Sequence, residues 1–175
     1  MKSLKESLLD DEEEIIDKLN TKPLIEEWLK ENLKAGVSSI KISDKPNKDG
    51  KYEVSSKRTI EYKRSLHLTS LTNDLFIWDT VDGDFNCVGC DSLQTLKGAP
   101  KEVGRGFYCS YCDSLQTLEG APEKINGDFS CSSCPKLTSL EGAPKKVGGN
   151  FYCSSCPSLK TLKGAPKKVG GKFYS

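Results

Sequence analysis

The 175-residue sequence contains a single histidine, His67, and no acid or serine stands at a telling spacing from it. An active site needs convergent acids, bases or nucleophiles; with one imidazole and scattered carboxylates, no catalytic residue and no cofactor are expected. Long apolar runs are missing too. None approaches the roughly 18 residues that span a bilayer, so no membrane partner is expected. The stretch from Met1 to Asp11 lacks the apolar core and small-residue cleavage site of a signal peptide, which points to the cytoplasm, where structural disulfides are rare. Nor is there an excess of charge. The 26 basic and 25 acidic residues nearly cancel, and bulk charge gives no reason to expect nucleic acid as a partner.

What the sequence does contain is a repeat. The segment from Gly83 to Gly104 is written four times and begun a fifth, with Phe85, Phe107, Phe129, Phe151 and Phe173 marking the period. Cys87/Cys90, Cys109/Cys112, Cys131/Cys134 and Cys153/Cys156 keep the same step. A fixed period of this length marks a solenoid in which each repeat is one coil stacked on the last. Phe151 and Cys153 are two apart and so point to one side of a strand, while Asn150, Tyr152 and Ser154 point to the other. Leu159, Leu162, Ala165 and Val169 continue the inward set around the coil. A convex helix is excluded, because Pro166 and several glycines stand where it would run. Each coil is expected to be one short strand plus turns, about 4.8 Å from its neighbours in one parallel sheet.

The first third reads differently. Residues 3–19 place Leu4, Leu8, Ile15, Ile16 and Leu19 at helical spacing, with Ser3 and Glu6 as a capping box. A second helix, preceded by Thr21 or Lys22 and with Pro23 in its first turn, carries Leu24, Ile25, Trp28, Leu29 and Leu33 on one face, and ends at Ala35-Gly36. Residues 1–36 thus form a helical arm, acidic at its start, where seven acids face three lysines in residues 1–20. Strand signals begin at Val37. Val37, Ile40 and Ile42 pair with Tyr52 and Val54 across a loop that turns at Asp49-Gly50, and Thr59 to Tyr62 alternates likewise. Residues 58–82 have the spacing of a degenerate first coil, so 37–82 is read as a β capping region and 83–175 as the solenoid. The fold class expected is mainly β with a small helical amino-terminus.

The pattern Phe-x-Cys-x-x-Cys-x-x-Leu-x-x-Leu resembles a cysteine-bearing leucine-rich repeat, with Cys90, Cys112, Cys134 and Cys156 where asparagine is usual. Leu140 to Cys153, Leu-Glu-Gly-Ala-Pro-Lys-Lys-Val-Gly-Gly-Asn-Phe-Tyr-Cys, is similar to repeats in proteins of tailed bacteriophages and prophages. The resemblance implies a helix-poor leucine-rich-repeat solenoid from a phage or phage-like source, located in the host cytoplasm or the virion. It carries over no catalytic residue. The missing asparagine ladder leaves open how the turn carbonyls and amides are satisfied, since cysteine is a weaker hydrogen-bonding group.

Cys87, Cys90, Cys109 and Cys112 match a two-knuckle zinc pattern by count. The same spacing falls out of any coil with two cysteine positions, and Leu, Gly, Ala, Pro and Val repeat just as faithfully. Buried free thiols in two columns are therefore the primary expectation, and metal at those four cysteines is the alternative.

Stacked coils align their outward residues in columns, a surface that solenoids use for binding. Asp84, Asp128 and Asn150 fall in one column, Asn86, Tyr108, Tyr152 and Tyr174 in the next, and Tyr111 lies just beyond. Tyrosines among small polar residues suit protein contacts. These residues are the expected partner-binding face, and a non-catalytic protein-interaction module is the expected function, with a structural component of a virion or other assembly as the alternative. At Lys172-Phe173-Tyr174-Ser175 a fifth strand begins and the sequence stops. Lys167, Lys168, Lys172 and Phe173 are expected to form an exposed edge there, basic because seven lysines and no acid follow Gly142. A monomer with weak self-association through this edge, drawn to the acids of residues 10–17 in a second copy, is expected.

Overall fold

The computed structural model describes residues 21–35, 37–64 and 67–175; the helix expected over 3–19 lies outside the described residues. Residues 21–32 form helix α1, which buries Ile25 and Leu29 one turn apart with Trp28 partly buried beside them. Leu24, expected on that buried face, is half exposed. The helix also stops sooner than its apolar spacing suggests. The Asn32 side-chain amide donates to the Trp28 carbonyl at 2.8 Å, satisfying a terminal carbonyl, and Leu33–Ala35 continues as strand β1. After a 3-10 turn at Val37–Ser39, strand β2 (Ile40–Ile42) pairs antiparallel with β3 (Tyr52–Ser56). Their loop is closed by Asn47, whose Oδ1 accepts the N–H groups of Asp49 and Lys51, and by Gly50 at φ 74°.

From β4 (Ile60–Tyr62) and β5 (Phe76–Val81) onward the chain winds as coils. Each later coil contributes two short strands: β6 (Phe85–Asn86) and β7 (Glu102–Val103), β8 (Phe107–Tyr108) and β9 (Lys124–Ile125), β10 (Phe129–Ser130) and β11 (Lys146–Val147), β12 (Phe151–Tyr152) and β13 (Lys168–Val169), and then β14 (Phe173–Tyr174). Two seven-stranded sheets result, ordered β1-β4-β6-β8-β10-β12-β14 and β13-β11-β9-β7-β5-β3-β2. The repeat pattern alone predicts one sheet. The second forms because the β-branched residue after Ala-Pro (Val103, Ile125, Val147) is extended and the amide after it finds the coil before, as Gly104 N–H finds the Val81 carbonyl at 2.8 Å. All strand pairs after β4 and β5 are parallel, and both sheets begin on an antiparallel pair, β1 with β4 and β2 with β3.

The register advances by one full repeat from coil to coil: Phe85 lies opposite Phe107, and Val103 opposite Ile125. The first coil is longer. Val81 lies opposite Val103, one repeat on, whereas Ile60 lies opposite Phe85, three positions further than the repeat would take it. The three extra residues are absorbed around Asn73, whose Oδ1 accepts the N–H groups of Leu75 and Phe76.

Inside, Phe85, Phe107, Phe129, Phe151 and Phe173 form one stack, with ring centroids 5.0 to 5.6 Å apart and planes within 13° of parallel. Burying each ring contributes on the order of 1.5–3 kcal/mol, and the stacking adds to that. At the capped end the column meets larger rings. Tyr62 and Trp78 pack on Phe85, and Trp28 and Phe76 pack edge-on behind them, with Trp78 Nε1 donating to the Tyr62 hydroxyl at 2.9 Å. These rings form an aromatic plug at that end of the column. The Gly-Ala-Pro turns need their glycine for two reasons. Gly142 has φ 87°, and a Cβ there would lie 2.5 Å from the Glu119 backbone nitrogen of the coil before. Among the described residues no helix is long and apolar enough to cross a membrane.

Phe129→Ala should therefore destabilise the protein by about 3–5 kcal/mol in urea denaturation. Lys124→Ala, which breaks the exposed 3.2 Å ion pair to Glu102, should cost less than about 1 kcal/mol. Similar costs at the two positions would contradict the inward and outward assignment.

Candidate functional site

The outward face of the sheet that carries β6, β8, β10, β12 and β14 (the Phe sheet) holds the residues expected to bind a partner, and the structure divides them into two kinds. Asp84, Asp128 and Asn150 are half-buried and occupied within the solenoid. Asp84 Oδ1 accepts the N–H of Gly106 at 2.8 Å, Asp128 Oδ1 that of Asn150 at 2.7 Å, and Asn150 Oδ1 that of Lys172 at 2.8 Å. Thr59 begins the same column, its Oγ1 accepting the Asp84 N–H at 3.1 Å. Each of these side chains thus carries an amide of the next coil at the turn into the strand, where leaving it unpaired would be costly. Their first role is to tie coils together.

Gly106 interrupts that column, and Tyr108 occupies the space, since a Cβ on Gly106 would come within 2.3 Å of the Tyr108 hydroxyl. Burial, then the carboxylates of Asp84 and Asp128, push the Tyr108 phenol above its ordinary value. Asn86 folds back locally, its Oδ1 accepting the Val88 N–H at 3.0 Å. Tyr152 and Tyr174 stack flat on the outer face at 4.8 Å. Ser110 and Ser130 share a 2.7 Å hydroxyl contact between coils.

Tyr111 is different. Its backbone sits in the left-handed region at φ 59°, in a turn where other coils place Gly89, Ser133 and Ser155 at φ 56° to 68°. A bulky residue rarely adopts that conformation, yet the ring projects 59% exposed. The neighbouring tyrosines and serines make a strip of small hydroxyls and rings held on a rigid sheet.

At the last coil, Lys167, Lys168 and Lys172 are exposed, and Phe173 stacks on Phe151 at 5.0 Å while remaining 37% exposed. Leu162 is 49% exposed although its equivalents Leu96, Leu118 and Leu140 are fully buried.

The cysteines run inside the sheet in two columns, all eight as free thiols. Cys87, Cys109 and Cys131 turn their Sγ to the carbonyls of Tyr108, Ser130 and Tyr152 in the next coil, at 3.3 to 3.5 Å. Cys112, Cys134 and Cys156 turn theirs to the carbonyls of Cys87, Cys109 and Cys131 in the coil before, at 3.3 to 3.4 Å. The two columns therefore lace neighbouring coils in both directions. This answers how the turn carbonyls are met without asparagine: a weak S–H donor suffices where the carbonyl already accepts a backbone N–H, as that of Tyr108 does from Cys87. Among the described residues no three His, Cys, Asp or Glu side chains gather as a metal site would need, and Cys87, Cys90, Cys109 and Cys112 lie along the columns. Burial, reinforced by neighbouring thiols, pushes Cys87, Cys109 and Cys131 well up, and burial pushes Cys134 up to about 12.

Sequence reasoning misses Lys57, Arg58 and Arg105, which with Ser38, Thr59, Asp82 and Gly83 line an open hollow of about 610 Å³. The signal that could have found them is the coil register, which carries Arg58 through Gly83 to Arg105. Set against family models, curated proteins and solved structures, the chain matches none of them.

The native thiols should resist alkylation at neutral pH, because the thiolate is the reactive form. Unfolded thiols ionise near pH 8.5, while the buried ones stay protonated well above it. Stability should be fully present below about pH 8.5 and fall as pH rises towards 12, by about 1.4 kcal/mol per pH unit for each buried thiol. Urea denaturation from pH 7 to 11 checks this. Stability that holds flat across that range would contradict the burial of the columns.

Proposed function

We propose that this protein is a non-catalytic interaction module whose Phe sheet binds a protein partner through Tyr108, Tyr111, Tyr152 and Tyr174. The observation that carries the reading is Tyr111, a large ring held in an unfavourable backbone conformation with most of its surface exposed. Nothing inside the solenoid gains from that ring, whereas a partner would gain aromatic area at little entropic cost. Rigid stacking supports the same reading, since Tyr152 and Tyr174 already hold one orientation and lose little freedom on binding. Asp84, Asp128 and Asn150 shape the strip by tying its coils and contribute to binding only indirectly. The resemblance of the repeats to those of phage proteins supports a phage-encoded factor acting on a host or phage protein.

The test begins with capture of a partner by the purified chain and its identification. Tyr111→Ser combined with Tyr152→Ser should weaken binding of that partner at least tenfold, on the order of two hot-spot residues. Lys124→Ala and Lys146→Ala, on the other sheet, should leave it unchanged. Loss of binding in the lysine variants but not in the tyrosine pair would move the site off the Phe sheet.

A further inference from the structure

Only three of the 26 basic residues are arginines, Arg58, Arg64 and Arg105. Two of them line one hollow. Their placement follows from the register. Ile60 lies opposite Phe85, and Phe85 opposite Phe107, so Arg58, Gly83 and Arg105 occupy the same corner position in three successive coils. The Gly83 backbone fills the middle place. A Cβ on Gly83 would lie 2.2 Å from the Thr59 nitrogen and 2.5 Å from the Arg58 carbonyl carbon, while the Arg105 N–H donates to the Gly83 carbonyl at 3.2 Å. With strands about 4.8 Å apart, the two arginine backbones stand about 10 Å apart across a position that carries no side chain.

Both arginines line this open notch, one coil to either side of Gly83. Ser38 reaches it from the 3-10 turn and Lys57 from the end of β3. One acid lines it: Asp82, whose Oδ2 is held by the Lys57 ammonium at 2.9 Å. Thr59 also lines it, with its hydroxyl donating to Asp84 Oδ2 at 3.3 Å. Among the described residues neither Arg58 nor Arg105 has a carboxylate within ion-pair distance, although exposed lysines nearby, such as Lys101 and Lys124, do. Counting Lys57, Arg58 and Arg105 against Asp82, the hollow carries a surplus of two positive charges.

We propose that this notch is a binding site for a phosphate monoester dianion. A guanidinium presents a planar fork that matches two oxygens at once, and two forks facing one gap suit a group with three terminal oxygens and a double charge. A carboxylate would satisfy one fork only. Lys57 neutralises the one acid that lines the notch. The site lies at the corner between the two sheets, beside Tyr108 of the tyrosine strip, and does not depend on that strip binding a partner.

The test is a titration of the full chain, followed by backbone amide NMR, with inorganic phosphate, O-phosphoserine, a short phosphoserine peptide, and inorganic sulfate. Saturable shifts centred on Thr59, Gly83 and Arg105, weakened by salt, are expected with the phosphate-bearing probes. Arg58→Ala and Arg105→Ala should each weaken that binding at least tenfold with unchanged thermal unfolding, since both side chains are exposed. Lys146→Ala should leave it intact. Tighter binding of the peptide than of phosphoserine identifies a phosphorylated protein segment as the source, and equal binding identifies a small phosphate ester. Absence of shifts at Gly83, equal binding by either arginine variant, or sulfate binding as tightly as the phosphate esters (an adventitious ion only) would overturn the proposal.

Discussion

Stacking in register is the constraint on which the remaining structure depends. A single coil, with strands of only two residues, has too little apolar surface to hold itself together. It becomes stable when its Phe ring lies on the ring before it, its strand amides enter the ladders on both sides, and its cysteines reach the carbonyls above and below. Every one of these contacts joins a residue to another about one repeat away, so a slip of one residue would break them together. The cap serves the same constraint from one end. Both sheets start on an antiparallel pair, and the aromatic plug of Trp28, Tyr62, Phe76 and Trp78 offers Phe85 a ring surface where the preceding phenylalanine would be.

The same constraint shapes the surface. Outward residues divide into those that serve the stack and those that do not. Asp84, Asp128 and Asn150 look like a polar binding column in a sequence, but their oxygens are aimed along the solenoid axis at the next coil's N–H. The exposed lysines and glutamates act likewise: Lys97 pairs with Glu119 and Lys163 with Glu141, each across one coil. What is left over is small. Among the described residues it includes the tyrosine strip on the Phe sheet, the arginine notch at the corner and the exposed lysines of the last coil.

Much of the solenoid was legible because its period repeats without error. Phe129, Cys131, Cys134, Leu137 and Leu140 are all fully buried, as the alternation and the bend required. Two things were not. The second sheet was hidden because Lys146–Val147 is too short a segment to show strand periodicity; only cross-coil pairing makes it a strand. The end of α1 was hidden as well, because Leu33 continues the helical spacing and is buried either way, in a helix or in β1. For the site, the tyrosine columns could be written down from the period alone. Which outward residues were already engaged could not, because that depends on side-chain direction along the stack.

The central claim is that phenylalanines one repeat apart lie ring against ring. Solution NMR on protein carrying selectively labelled phenylalanine tests it directly, through nuclear Overhauser contacts between the rings of Phe107, Phe129 and Phe151. The account predicts contacts from Phe129 to both neighbours, consistent with centroids 5.6 and 5.1 Å away. A folded protein in which the Phe129 ring touches neither would contradict it.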